Sequence, residues 1–179
     1  KISDLKKIIK MYKSEAYLLN RPDCISWLLN IRDNQLKYSP VFRCLAIIKK
    51  SGKIYLFTEN DLNNSLFKTY KNIELHKIED LNIILEKFKN HKVLIDPSVT
   101  PIKIVDFMKS RKIIGHEIKC PLMEKKSIKN RIEQKMSKKT HLIDGIAFLR
   151  FWHWLENNKN NNNLTEQNLS EKLFYYRSI

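Results

Sequence analysis

Short apolar segments alternate with helix-like segments through the first two thirds of the chain, and this alternation limits the folds available to it. Strands are predicted at 15–20, 43–49, 53–59, 73–78, 92–96 and 112–118. Helices, with apolar residues three or four apart, are predicted at 3–14, 22–27, 60–70, 80–88 and 101–109. Interleaved strands and helices of this length predict a compact three-layer α/β domain with a mixed sheet.

Residues typical of turns and helix caps support the predicted α/β domain. Lys50, Ser51 and Gly52 separate the second and third strands, which is typical of a hairpin. Asp80 is expected to cap the helix that follows it.

The pattern changes at Met123. Residues 129–157 form one long helical pattern, the Asn-rich stretch 157–163 interrupts it, and 164–176 predict a second helix with Thr165 as its cap. Because two helices cannot bury a core alone, this end is expected to begin a larger domain. We therefore divide the chain into 1–122 and 123–179.

The formal net charge of +15 raises the question of nucleic-acid binding. Of the 34 basic residues only seven are arginine, the residue that phosphate and base recognition favours. Lysine, isoleucine and asparagine are enriched by A/T-rich codons, so we interpret the charge as a solvated surface. A nucleic-acid partner is not expected, although a stand-alone basic α/β module that binds nucleic acid or protein remains the alternative.

Cys24, Cys44 and Cys120 are odd in number and form no C-x-x-C pair. They predict buried reduced thiols rather than a disulfide framework or a zinc site. No apolar run approaches about 18 residues, and the first residues predict an amphipathic charged helix. The chain is therefore predicted to be cytoplasmic, without membrane contact.

The segment 22–42 has no simple periodic explanation, since it joins an apolar run with tryptophan, an Asn-x-Arg pair and an aromatic-x-Pro turn. It resembles the middle, creatinase-like domain of the three-domain aminopeptidase P family. The residues that carry the resemblance are Asp23, Trp27, Leu28, Asn30, Arg32, Tyr38, Pro40, Val41 and Phe42.

A second set of residues lies far downstream and is similar to the helix that opens the catalytic domain of that family. Its members are Lys129, Asn130, Glu133, His141, Asp144, Ala147, Trp154, Leu155 and Glu156. The resemblance covers nearly the whole chain. It implies a creatinase/prolidase N-terminal-like domain with a mixed, ribonuclease-H-like sheet, followed by the first two helices of a pita-bread domain.

The resemblance implies hydrolysis of the bond between an N-terminal residue and a following proline. The family uses two divalent metal ions, for which we expect Mn²⁺, and its metal ligands lie beyond the segments matched here. We therefore expect no catalytic residue and no metal ligand in this chain, and no activity from it alone. Expected partners are proline-containing peptides and the remainder of the catalytic domain, and a homodimer is also considered. A related prolidase remains an alternative.

Arg32 and Tyr38 are the candidate substrate-binding residues, because the family places this loop on the edge that faces the catalytic domain. Arginine suits a peptide carboxylate or carbonyl, and an aromatic ring suits proline. In the alternative interpretation, Asn30 and Arg32 only hold the loop through hydrogen bonds to backbone.

Other polar residues have simpler interpretations. His141 and Asp144 could share a metal ion, but a histidine hydrogen-bonded between helices is preferred. His153 is expected to pack against another helix or the rest of the protein. Asp96 is expected to begin a turn at a strand end. With three glycines in the chain, no phosphate-binding loop is expected.

Overall fold

The structure is a computed structural model of the 179-residue chain, and it describes residues 1–34, 36–59, 72–161 and 163–179. It divides the chain into two compact units, Lys1–Ser127 and Ile128–Ile179. The helix predicted at 60–70 lies outside the described residues.

Among the described residues of the first unit, six strands form one mixed sheet. They are β1 (Ala16–Leu19), β2 (Leu45–Lys49), β3 (Ile54–Thr58), β4 (Ile73–Lys77), β5 (Lys92–Ile95) and β6 (Ile114–Glu117). Their spatial order is β4-β3-β2-β1-β5-β6. Strand β2 is antiparallel to β1 and β3, whereas β3 and β4, β1 and β5, and β5 and β6 pair in parallel. All six predicted strands are confirmed, with shorter ends.

The connection between β2 and β3 is the predicted hairpin. The Gly52 N–H donates to the Lys49 carbonyl at 2.8 Å, and Gly52 has a φ of +100°. Side-chain-bearing residues rarely adopt that conformation, so a glycine suits this position. The register that follows places Ile47 opposite Tyr55.

Five helices surround the sheet among the described residues of the first unit. They are α1 (Ile2–Met11), α2 (Pro22–Leu29), α3 (Leu81–Glu86), α4 (Ile102–Ser110) and α5 (Pro121–Ser127). The predicted capping by Asp80 is wrong: a 3-10 turn, Ile78–Asp80, leads directly into α3, so Asp80 has helical dihedral angles and its side chain makes no capping bond. A capping residue needs an extended backbone.

Helix α5 was not predicted. It is seven residues long and buries only Leu122, so it carries too little apolar periodicity to be recognised. It runs across the boundary expected after residue 122 and belongs to the first unit. The two-domain division at that point stays a prediction.

The sheet lies between two helical layers, because successive residues of a strand face opposite sides. Tyr17 and Leu19 pack in one core with residues of α1, α2 and α5. Ala16 and Leu18 pack in the other with residues of α3 and α4. This confirms the three-layer α/β fold.

The second unit contains α6 (Arg131–Asn158) and α7 (Glu166–Ser178). Both begin with a capping box, in which Asn130 and Glu133 exchange hydrogen bonds in α6, and Thr165 and Asn168 in α7. The two predicted helices and the Thr165 cap are confirmed. Among the described residues, no helix has the length and apolar character that crossing a membrane requires.

Candidate functional site

The loop of residues 30–42 begins where α2 ends. Asn30 has φ 56° and ψ 39°, a left-handed conformation that asparagine tolerates and that commonly ends helices. The Asn30 N–H donates to the Ser26 carbonyl, and so does the Ile31 N–H, at 3.0 Å. The chain therefore leaves the helix in a fixed direction.

The far end of the same loop is attached to the same serine. The Phe42 N–H donates to Ser26 Oγ at 3.0 Å. Both residues are buried, with 2% of the surface of Phe42 and 3% of that of Ser26 exposed. Ser26 thus binds the loop at its start through its carbonyl and at its end through its hydroxyl.

Arg32 lies close to the start of this loop. Its Nη1 donates to the carbonyls of Ser26 at 2.9 Å and of Ile31 at 2.8 Å. Among the described residues, Nε and Nη2 of Arg32 have no hydrogen-bond partner. One nitrogen of the guanidinium is therefore held in place, while the remaining donors are available to another molecule.

Tyr38 lies near the tip of the loop, and 80% of its surface is exposed. The turn is closed by a hydrogen bond from the Ser39 N–H to the Leu36 carbonyl at 3.1 Å. Lys37 Nζ lies 5.3 Å from the centre of the Tyr38 ring. Arg32 and Tyr38 share one loop, and no contact joins them in the part of the chain that the structure describes.

Asp96, at the end of β5, fixes the N-terminal side of α2. Its carboxylate accepts from the Ser98 N–H at 3.0 Å and hydroxyl at 2.6 Å, and from Arg21 Nε and the Cys120 N–H at 3.2 Å each. Burial disfavours the charged carboxylate, but these hydrogen bonds outweigh it and lower the pKa of Asp96. The predicted turn at Asp96 is confirmed, and its link to Arg21, the residue before α2, was not foreseen.

Sequence reasoning also missed Ser26. The signal that could have found it is a serine inside the otherwise apolar stretch 24–29, because a hydroxyl buried there needs a partner. Nothing in the sequence identifies that partner, which is the N–H of Phe42 at the far end of the loop.

His141 is exposed and has no hydrogen-bond partner among the described residues, so its predicted hydrogen bond between helices stays a prediction. Instead, Asp144 joins the two helices of the second unit by accepting from Arg177 Nε at 2.7 Å and Nη2 at 3.3 Å. Because Asp144 is occupied by a bidentate arginine, it is a poor metal ligand here.

His153 is exposed, and its Nε2 lies 3.2 Å from Asn157 Nδ2. Within the second unit it does not pack against the other helix, contrary to one half of its prediction. The other half, packing against the rest of the protein, stays a prediction.

A site for two metal ions needs several carboxylates that converge. Across residues 1–34, 36–59, 72–161 and 163–179, no group of three or more His, Cys, Asp or Glu residues could hold a metal ion. The described residues do not fit such a site, and no step of metal chemistry is assigned to them.

A mixed six-stranded sheet between two helical layers defines a three-layer α/β domain. Its described residues include the loop that carries Arg32 and Tyr38, but no group of three or more His, Cys, Asp or Glu residues that could hold a metal ion. The chain belongs to the Creatinase/Prolidase N-terminal domain family, whose model matches residues 1–133. The creatinase/prolidase N-terminal-like domain that the sequence resemblance implies is thereby confirmed.

Similar proteins cover almost the whole chain. Probable Xaa-Pro aminopeptidases P from Sordaria macrospora and Laccaria bicolor are 28% and 29% identical over 99% of it. The chain spans 31% and 28% of their respective lengths, and thus about a third of these curated relatives.

Solved structures show the same fold. An X-prolyl aminopeptidase from Caenorhabditis elegans, described as a cytosolic enzyme with a di-nuclear active site, matches with a TM-score of 0.84 at 22% identity, over 99% of this chain and 30% of that one. The prolidase from Pyrococcus horikoshii matches with a TM-score of 0.67 at 15% identity, over 99% and 48%.

Proposed function

We propose that this chain is the non-catalytic portion of a metal-dependent aminopeptidase that removes the N-terminal residue from peptides with proline in second position. The observation that supports this most is the match of 99% of the chain to proteins named as probable Xaa-Pro aminopeptidases P. The family match to residues 1–133 favours this function over a stand-alone basic binding module. The names of these relatives also favour an aminopeptidase over a prolidase.

In this proposal, residues 1–122 are the creatinase-like domain and 123–179 begin the pita-bread catalytic domain. Apolar side chains along α6 support the second part. Ile132 and Leu142 are 75% and 66% exposed, and an uncovered apolar helix face calls for a partner. The remainder of the catalytic domain is the partner proposed.

The loop of residues 30–42 shapes the substrate cleft in the intact enzyme. Arg32 offers its Nε and Nη2 donors to a peptide carbonyl or carboxylate, while its Nη1 stays bonded to the loop backbone. Tyr38 offers an exposed ring on which a pyrrolidine can pack. Neither residue breaks the bond. Their role is to position the peptide.

The ions of the intact enzyme are proposed to be two divalent cations, with Mn²⁺ as the expected metal, held by residues outside this chain. The enzyme is proposed to act in the cytoplasm, and a homodimer is considered. The chain alone is expected to be inactive, because its described residues include no group that could hold the ions.

The test compares two proteins, the 179-residue chain and the product of the complete reading frame that contains it. Both receive Xaa-Pro-Pro peptides with and without Mn²⁺, and release of the first residue is measured. An Xaa-Ala-Pro peptide controls for proline specificity, and an Xaa-Pro dipeptide separates the aminopeptidase from a prolidase.

We expect that only the longer protein releases the first residue from Xaa-Pro-Pro. This activity should be lost when a chelator removes the metal. Release by the 179-residue chain would overturn the assignment of a non-catalytic role. A longer protein that cleaves only the dipeptide would replace the aminopeptidase with a prolidase.

A further inference from the structure

A cavity of about 220 Å³ opens where β2 begins and β3 ends. The strands β1, β3, β4, β5 and β6 all run in one direction, so the cavity lies beyond the carboxyl end of β3. In open α/β sheets, ligands bind outside the carboxyl ends of the parallel strands. Sites for drug-sized ligands measure about 300–1,000 Å³, so this cavity admits only a small molecule.

The less exposed residues that line the cavity are mostly apolar. Leu45 and Phe57 are paired across β2 and β3, and Ile78 begins the 3-10 turn that leads into α3. Phe57 is fully buried, and the half-buried Leu45 and Ile78 pack against the same core. An aliphatic side chain that enters the cavity would therefore leave water for an apolar surface, which favours binding.

Two exposed residues of opposite charge, Arg43 and Glu59, line the same cavity. Leu45 pairs with Phe57 in antiparallel register, and Arg43 and Glu59 lie two residues further along their respective chains. Residues two apart share one face of a strand, so the two charged side chains lie across from each other. The Thr58 hydroxyl donates to the Arg43 carbonyl at 3.1 Å and holds the two chain segments together.

Arg43 and Glu59 do not neutralise each other. Opposite charges at opposed positions of two antiparallel strands commonly form a stabilising pair. Among the described residues, however, neither side chain has an ion pair or a hydrogen bond. The exposed pair of Arg111 and Glu86, by contrast, is joined at 3.0 Å. The cavity therefore offers one guanidinium and one carboxylate to an incoming molecule, beside an apolar surface.

We propose that this cavity binds a free α-amino acid with a branched apolar side chain, such as L-leucine. The carboxylate of the ligand pairs with Arg43, its ammonium group pairs with Glu59, and its side chain packs on the apolar residues. A residue inside a peptide chain lacks both charges and cannot satisfy both partners. Because the ligand is small and its charged partners are exposed, the expected Kd is on the order of 1 mM. The proposed peptidase would release molecules of this class, but binding here does not depend on that activity.

The experiment titrates the isotopically labelled 179-residue chain with L-leucine and follows its amide NMR shifts. The buffer contains about 0.15 M salt, which screens long-range attraction to the basic surface. We expect saturable shifts at residues 43–45 and 57–59. L-leucinamide lacks the carboxylate and N-acetyl-L-leucine lacks the ammonium group, so each should bind about fivefold more weakly, the range of one exposed ion pair. Equal affinity for the three ligands would overturn the proposal, as would the absence of saturable shifts or shifts confined to other residues.

Two substitutions test which residue binds which charge. Arg43→Gln should weaken binding of L-leucine to the affinity of L-leucinamide, whereas Glu59→Gln should weaken it to that of N-acetyl-L-leucine. Arg111→Gln and Glu86→Gln are matched controls at an ion pair outside the cavity, and both should leave the affinity unchanged. Cavity variants that keep the original ranking of the three ligands would overturn the roles of Arg43 and Glu59. If a variant fails to fold, the comparison of the three ligands on the unsubstituted chain remains decisive.

Discussion

The Phe42 N–H donates to the hydroxyl of Ser26 at 3.0 Å, and this bond attaches the end of the 30–42 loop to the helix at which the loop begins. The carbonyl of the same serine accepts from the start of the loop and from Arg32. The main chain of Ser26 therefore holds the start of the loop and Arg32, while its buried side chain holds the end of the loop.

Replacing Ser26 with alanine should lower the free energy of unfolding by about 1–3 kcal/mol, because the buried Phe42 N–H loses its acceptor. Urea unfolding of the chain measures this loss. Ser39→Ala is the control on the same loop, since the Ser39 side chain makes no hydrogen bond among the described residues, and it should stay within about 0.5 kcal/mol. Equal losses for the two variants would contradict the role given to Ser26.

Arg32→Ala, in the longer enzyme, should lower kcat/KM for Xaa-Pro peptides by about 10- to 100-fold, the equivalent of one charge-assisted hydrogen bond. Its melting temperature should fall only slightly, since the two Nη1 bonds lie at an exposed residue. Steady-state kinetics and thermal unfolding of the same preparation separate the effects. Unchanged kinetics with a lower melting temperature would leave Arg32 only its role in holding the loop.

Tyr38→Ala should leave the stability of the chain within about 0.5 kcal/mol of its starting value, because the ring is 80% exposed. In the longer enzyme, KM for Xaa-Pro peptides should rise, since the pyrrolidine loses a ring to pack against. Lys37→Ala is the neighbouring control and should leave KM unchanged. An unchanged KM for Tyr38→Ala would exclude a contact between the Tyr38 ring and the substrate.

Asp96 should make the stability of the chain sensitive to acid. Its pKa is lowered in the folded state, so its stabilising effect is fully present above the unfolded value of about 4 and is lost as pH falls through the folded pKa. Asp96→Asn should therefore cost about 1.5–3 kcal/mol at pH 7 and less at pH 3. Urea unfolding at both pH values tests this.

Asp106→Asn is the matched control for Asp96, because Asp106 is exposed and has no hydrogen bond or ion pair among the described residues. Its cost should be small at both pH values. A loss for Asp96→Asn that is as large at pH 3 as at pH 7 would show that the charge of Asp96 does not stabilise the fold.

The described strands and most helices could be predicted because their signals are local. An apolar run such as β5, or the spacing along α6, lies within a few residues of sequence. The capping boxes at Asn130 and Thr165 are equally local. In these segments the fold kept the secondary structure that the local sequence pattern predicts, so the prediction and the structure agree.

The interactions that the sequence did not reveal connect distant segments. The bonds from Arg21 to Asp96, from Phe42 to Ser26 and from Arg177 to Asp144 each depend on the folded path of the chain. For Asp80, a preceding 3-10 turn overrode a favourable capping residue. The sequence shows that these side chains are polar, but their hydrogen-bond partners are known only from the folded structure.

The strand order also bears on how the protein folds as it is synthesised. Strands β1, β2 and β3 are neighbours in the sheet and occupy residues 16–58, whereas β5, the parallel neighbour of β1, follows only at residues 92–95. The antiparallel half can therefore form on the ribosome before the other edge of β1 has its partner. In that interval the nascent chain carries an uncovered apolar strand edge, the feature that chaperones and aggregating neighbours recognise.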